Sequence, residues 1–486
     1  MSDLDLLAGG SLPRAMSARR SAHPDARLLH VPGHGWRTAA GLERASAAAA
    51  AALAARGVDR GDRVVLCSAT PSRFVDAYLG ALRMGAIVVL LNPACSEGEA
   101  AHVARDSDPA AAVVDDAQRG TWISRAAPSL RAVLDTAALP AEAGGGGPPL
   151  DDLGPDDPAL LMYTSGTTGT PKGALLRHGN LLASAAAVGH AWRWTDADRL
   201  VLALPLFHAH GLAVGLNGTL LAGASAVLLP RFDAAAVLDA AREHEATLFF
   251  GVPTMYARLA AEPRAAELAR LRLCVSGSAA LAPSLFARIE ELSGQRVLER
   301  YGLTETLMNT SNPYDGERRP GTVGLPLPGV EVQLAGGDRG EIRVRGPNVF
   351  AGYWRNPEAT AAVLDKDGWF STGDVGEHDE KGYLRIVGRT RELIITGGYN
   401  VYPREVEDAL MAHPLVAEAA VVGLPSEEWG EVVTAFVVKR DPDLDADALL
   451  VHARERLAPY KVPRQVRFVA ALPRNALGKV VKQRLT

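Results

Sequence analysis

Cysteine is scarce in this chain. Three occur in 486 residues, at Cys67, Cys95 and Cys274, with no Cys-x-x-Cys pair among them. That spacing excludes a zinc ribbon and a disulfide framework, and it fits a reducing compartment. An excess of positive charge is also missing. Lys and Arg number 51 against 56 Asp and Glu, for a net charge of −5. A broad nucleic-acid surface is therefore excluded, and any anionic ligand must be met by local cations. No apolar run is long enough to span a bilayer. The Ala-rich stretch Ala47–Ala55 is short, flanked by Arg44 and Arg56, and reads as an amphipathic helix. The opening MSDLDLLAGG lacks the basic-then-apolar order of a signal peptide. A cytoplasmic protein with neither a membrane nor a nucleic acid as partner is expected.

What is present is an ordinary globular composition, 48% hydrophobic and 22% charged, at a length that calls for two or more domains. Short apolar runs alternate with helical stretches over the first 300 residues. Arg63–Cys67, Ala86–Leu91, Ala111–Val114, Arg199–Leu204, Ser225–Leu229 and Thr247–Phe250 read as strands, with helices near Arg73–Met84 and Gly98–Asp106. Such alternation predicts an α/β fold built on parallel-rich sheets flanked by helices. Past Val323 the texture changes. Gly340–Gly346 alternates apolar and polar residues, as a half-exposed antiparallel strand does. A smaller α+β unit follows, with a helix over Pro403–Ala412 and strands over Val416–Val422 and Val432–Lys439. The expected division is 1–388 and 389–486.

The stretch LMYTSGTTGTPKGALL, residues 161–176, carries the densest chemistry. Gly166, Gly169 and Gly173 permit tight curvature and close approach of a ligand. Backbone amides and the hydroxyls of Thr164, Ser165, Thr167, Thr168 and Thr170 make a concave donor surface suited to phosphate oxygens, and Lys172 after Pro171 adds a cation. No Ser or Thr follows Lys172, so this is not the GxxxxGK[ST] loop.

This stretch resembles the phosphate-binding signature of the acyl-adenylate-forming superfamily, which includes acyl-CoA synthetases, adenylation domains and luciferases. Further segments match in order: Leu204–His208, Glu299–Thr306, Ser371–Asp374, Gly388–Arg389, Gly397–Glu407 and Pro473–Lys479. The resemblance covers nearly the whole chain. It implies a large N-terminal ATP- and acyl-binding domain that includes a distorted β-barrel portion, and a small mobile C-terminal domain. It implies ATP, Mg²⁺ and coenzyme A as cofactors, and a carboxylate that attacks the α-phosphorus before a thiol takes the acyl group.

By the same resemblance, residues 164–172 cradle the phosphates and Glu305 holds Mg²⁺. Tyr301, Thr304, Gly277, Ser278 and Ala279 frame the adenine. Asp374 and Arg389 meet the ribose and phosphate, Lys479 bridges the attacking carboxylate, and His208 lines the acyl site. Rotation about a hinge near 389–391 takes Lys479 away and brings Gly397 and Gly398 to the thiol tunnel. Arg177, Arg404 and Arg440 are candidates for the coenzyme A 3′-phosphate.

The acid itself is addressed by Leu271–Ser278. On a strand, an arginine flanked by leucines is costly unless paired. The chain runs from Arg272 directly into Gly277 and Ser278, so Arg272 is expected near the acyl site, reading a second substrate carboxylate. The alternative is an internal pair with an acid such as Glu243 or Glu290. The words around His208–Leu212, Val275–Ala279 and Thr306–Gly316 resemble the malonyl-CoA synthetase branch. On that reading Ser276 and His210 assist Arg272, and Met308 limits pocket depth. Malonate is the expected small-molecule partner, with methylmalonate unresolved from it. A neutral short-chain or aromatic acid, and loading of a carrier protein, are the rivals.

Overall fold

The computed structural model describes residues 4–140, 150, 152–164, 171–474 and 480–486. The chain is mixed α/β, with a large N-terminal and a smaller C-terminal domain. Its described strands form four sheets. In the first, Ile87–Leu90, Arg63–Cys67, Ala111–Val114 and Ala132–Asp135 run parallel. Ile87–Leu90 also pairs with Pro158–Thr164, which turns back antiparallel into Lys172–Arg177. The central strands are buried along their length, as the near-continuous apolar runs Val64–Cys67 and Ile87–Leu90 require of a sheet covered on both faces. Crossover helices start where the sequence supplies caps. Pro71–Arg83 opens on a proline, and Glu97–Ser107 carries a full capping box between Ser96 and Glu99.

The second sheet aligns Leu298–Leu303, Leu273–Ser276, Leu248–Gly251, Arg199–Leu202, Ser225–Leu228 and Arg27–Val31 in parallel, with antiparallel strands at both edges. In both sheets the chemically interesting segments leave the carboxyl ends of parallel strands, where open α/β sheets place their ligands. A four-stranded antiparallel sheet (Glu331–Ala335, Arg339–Arg345, Phe370–His378, Leu384–Arg389) occupies the region expected to hold a distorted barrel, and its described pairings do not close a ring. After Arg389 a 3₁₀ turn, Thr390–Glu392, leads into the last sheet. That sheet has its own core around Ile394, Val406, Leu410, Val433 and Leu449. No helix among the described residues is long and apolar enough to cross a membrane. All three cysteines are free and buried.

Candidate active site

The glycine-rich loop is the connection of a hairpin whose last pair is Thr164 with Lys172. Ser165, Gly166, Thr167, Thr168, Gly169 and Thr170 lie outside the described residues. The strands that bring the loop in are anchored. His102 Nε2 lies 2.8 Å from the Pro171 carbonyl oxygen, and the Trp354 amide donates to Gly173. The Lys172 ammonium stands over the Tyr353 ring at 5.2 Å from its centroid. The Tyr353 hydroxyl donates to Glu305 Oε1 at 3.0 Å.

Glu305 is buried, and burial pushes its carboxyl above the ordinary range against the opposing pull of its own backbone amide and Tyr353. No described lysine or arginine pairs with it, so this hard oxygen donor suits a small divalent cation. The described residues contain no cluster of three or more metal-ligating side chains. That fits Mg²⁺, which prefers one or two carboxylates plus phosphate oxygens to an all-protein cage.

Tyr301 and Asp374 meet from two sheets. The Tyr301 hydroxyl donates to Asp374 Oδ2 at 2.7 Å, and Arg389 Nε donates to Asp374 Oδ1 at 2.9 Å. Burial, and then the Asp374 charge, hold the Tyr301 phenol protonated. The Asp374 charge in turn raises the Arg389 guanidinium. Ser278 and Ala279 are exposed just past the strand Leu273–Ser276, and Ser278 takes a left-handed φ of 69°. Ser278 Oγ is 3.4 Å from Nδ1 of His210, which is buried in a π-helical turn, His210–Leu216. Thr304, half-buried, precedes Glu305. His208 packs on Phe207 with ring centroids 4.3 Å apart. Met308 is buried beneath Gly302.

The expectation for Arg272 is corrected. It precedes the strand Leu273–Ser276 and so lies at the amino end, opposite Gly277. Its Nε and Nη2 each bond an oxygen of Asp198 at 2.6 Å, and the Trp192 and Arg193 carbonyls accept its remaining donors. The pair is internal, although with Asp198 rather than Glu243 or Glu290. Asp198 precedes the neighbouring strand Arg199–Leu202, so two parallel strands bring acid and base to the same end.

A second arginine, Arg300, lies buried on the strand Leu298–Leu303. Only 3% of it is exposed, and Nε and Nη2 have no hydrogen-bond partner among the described residues. Burial alone pulls its guanidinium down to about 9. The guanidinium lies flat against Gly277, where a Cβ would sit 2.3 Å from Cζ, so any side chain there displaces it. Ser276, fully buried with its Oγ unpartnered, is the residue before. The sequence signal was available: Glu299-Arg300 is a charge pair inside an otherwise buried strand. Its neighbour Glu299 accepts from the Leu281 amide at 2.8 Å, and burial raises its carboxyl to about 8.

Gly397 and Gly398 form the exposed turn between Ile394–Thr396 and Tyr399–Val401, both with positive φ (54° and 81°). Tyr399 and Tyr460 stack beside it at 4.7 Å. Arg177, Arg404 and Arg440 each bond locally, to Asp156, Asp408 and the Pro414 carbonyl. Lys479 lies outside the described residues.

The chain is similar to known proteins over nearly its whole length. The model of the AMP-binding enzyme family matches residues 16–354, and that of the AMP-binding enzyme C-terminal domain matches 405–479. The ATP-bound crystal structure of MatB from Rhodopseudomonas palustris superimposes with a TM-score of 0.92 at 39% identity, covering 97% of each chain. A feruloyl-CoA synthase of an Amycolatopsis species is 40% identical over 459 residues, 92% of each chain. A malonate–CoA ligase of Arabidopsis thaliana is 35% identical over 479 residues, 88% of this chain and 78% of that one.

Proposed function

We propose a substrate on the premise that this chain belongs to the AMP-binding enzyme family and is an AMP-forming acid–thiol ligase that uses ATP, Mg²⁺ and coenzyme A: the acid is malonate, or another short dicarboxylate such as methylmalonate. The observation that carries this reading is Arg300. A buried guanidinium with unpartnered donors is costly in an empty site. A neutral or purely apolar acid leaves that cost in place. A second carboxylate removes it through a charge-assisted, bidentate contact. Ser276, the residue before Gly277, and His210, 3.4 Å from Ser278 Oγ, are the polar groups that assist, and Met308 bounds the depth. The malonate–CoA ligase among the relatives supports the choice, and the feruloyl-CoA synthase supplies its rival.

The chemistry needs two anions held together, so neutralisation and alignment dominate. The reacting carboxylate oxygen bonds to the α-phosphorus while the bond to pyrophosphate breaks. Thr164 and Lys172 lead the phosphates in, Asp374 accepts from the ribose hydroxyls, and Glu305 with the phosphate oxygens holds the cation. Mg²⁺, when bound, neutralises charge on the phosphates. His208 lines the acyl side, and Lys479 aligns the attacking carboxylate. The thiol of coenzyme A then attacks the acyl carbon, and AMP leaves. For this second step the portion 389–486 turns about Thr390–Glu392, withdrawing Lys479 and presenting Gly397 and Gly398 to the thiol.

The test is pyrophosphate release against malonate, methylmalonate, sulfoacetate, acetate, butyrate, octanoate, benzoate and ferulate. Turnover confined to acids with two charges supports the reading. Preference for a monocarboxylate keeps the family and removes the dicarboxylate.

A further inference from the structure

We propose that Tyr353 is a positioning residue for the nucleotide phosphates, holding Glu305 as a free carboxylate and Lys172 as a free cation by standing between them. The proposal rests on the assignment of Glu305 and Lys172 to the Mg²⁺–ATP site and is independent of which acid is used.

Three observations carry it. The first is double engagement. One side chain touches both groups: the hydroxyl donates to Glu305 Oε1 at 3.0 Å, and the ring face lies 5.2 Å below the Lys172 ammonium. Both contacts are attractive, the second by the ring quadrupole acting on a cation within about 6 Å.

The second is what the two partners do not do. Lys172 and Glu305 form no ion pair within 4.0 Å, although both contact Tyr353. Such a pair would take the ammonium from the phosphates and the carboxylate from the metal at once.

The third is that Tyr353 is itself fixed. Its amide donates to Thr360 Oγ1 at 2.9 Å, and Phe350 packs edge-on at 5.0 Å. Its strand pairs Tyr353 with Ala174, two residues beyond Lys172, and the Trp354 amide and indole bond Gly173 and Asp106. A spacer tied to the strand that leaves the phosphate loop moves with that loop.

The experiment uses the full-length enzyme with Tyr353→Phe and Tyr353→Leu. Calorimetric binding of a non-hydrolysable ATP analogue is measured across a Mg²⁺ titration and in its absence, beside thioester formation from supplied acyl-adenylate. The Phe variant keeps the ring under Lys172 and loses only the donor to Glu305. It is expected to need about tenfold more Mg²⁺ for half-saturation, with metal-free binding unchanged. The Leu variant loses both contacts and is expected to bind the analogue several-fold more weakly even without metal. Both are expected to keep the thioester step. A Phe variant with the wild-type Mg²⁺ dependence overturns the proposal. So does a uniform loss across both half-reactions, which is what a merely structural tyrosine would give. If wild-type binding itself shows no Mg²⁺ dependence, the assignment of Glu305 fails first and the proposal falls with it.

Discussion

Arg272 and Arg300 sit at the two ends of adjacent parallel strands in one sheet, and they illustrate opposite uses of a buried cation. Arg272 is held on all sides, by two oxygens of Asp198 and two carbonyls. Arg300 is more deeply buried and holds nothing through Nε and Nη2. In sequence each is a guanidinium on or beside a buried strand, Arg272 between leucines and Arg300 between Glu299 and Tyr301. The difference lies in partner accounting, which only the fold supplies. A satisfied buried charge is structure. An unsatisfied one, at the carboxyl end of the strands, is the group on which the proposed dicarboxylate reading rests.

The sharpest way to break this contrast is to remove each arginine in turn. Arg272→Ala leaves Asp198, 3% exposed, buried without its cation, and is expected to cost roughly 3–5 kcal/mol of stability by chemical denaturation. The malonate kcat/KM of the folded fraction should stay within about twofold. A substrate effect without a stability effect would restore Arg272 to the acyl site.

Arg300→Met is expected to do the reverse. Malonate kcat/KM should fall by roughly 2–4 kcal/mol, on the order of 30- to 1,000-fold. The substrate-free enzyme should melt no lower, because an uncompensated buried charge has been removed. A lower Tm with unchanged malonate kinetics would make Arg300 structural as well.

A smaller effect is expected at the nucleotide. Asp374→Asn keeps the shape but weakens the acceptor for Tyr301 and Arg389 and, on the proposed reading, for the ribose. ATP affinity should fall by roughly 1.5–3 kcal/mol, equally for malonate and for any other acid tested. A loss that depends on the acid would place Asp374 in the acyl site instead.

Much of the fold was legible. Arg63–Cys67 and Ala111–Val114 are strands over the expected residues, because a parallel strand buried on both faces is an unbroken apolar run. The helix expected near Arg73–Met84 spans Pro71–Arg83, its start marked by proline. Sequence reasoning named Tyr301 and Glu305, which the structure sets beside Asp374 and Tyr353, while 165–170 lie outside the described residues. It failed at Arg272, because the periodicity of a strand says which face a residue takes and not which end of the sheet its partner comes from. Asp198 is 74 residues away. Tyr353 was missed for the same reason: its link to Glu305 spans 48 residues and passes through a third strand pairing.

The same contrast of compensated and uncompensated charge extends to carboxylates and sets their pH behaviour. Burial raises the Asp198 carboxyl, but its bonds from Arg272, the Thr195 amide and Thr247 outweigh it and leave it lowered. Its contribution to stability is therefore complete above the ordinary carboxylate range and is lost as pH falls through the lowered value. Glu305 is shifted the other way, raised chiefly by burial. In the absence of Mg²⁺ its ionised form is penalised, so the cost to the folded state is present at neutral pH and disappears as pH falls through the raised value toward about 4. Glu305→Gln imitates the protonated form. Without Mg²⁺ the variant should be more stable than wild type at pH 7–8, and the two should converge as pH falls toward the ordinary carboxylate range. Thermal melts of the pair across that range read the difference directly, since every other titrating group is common to both. A difference that does not change with pH would mean that Glu305 is not held as an uncompensated carboxylate, and the metal site would have to be sought elsewhere.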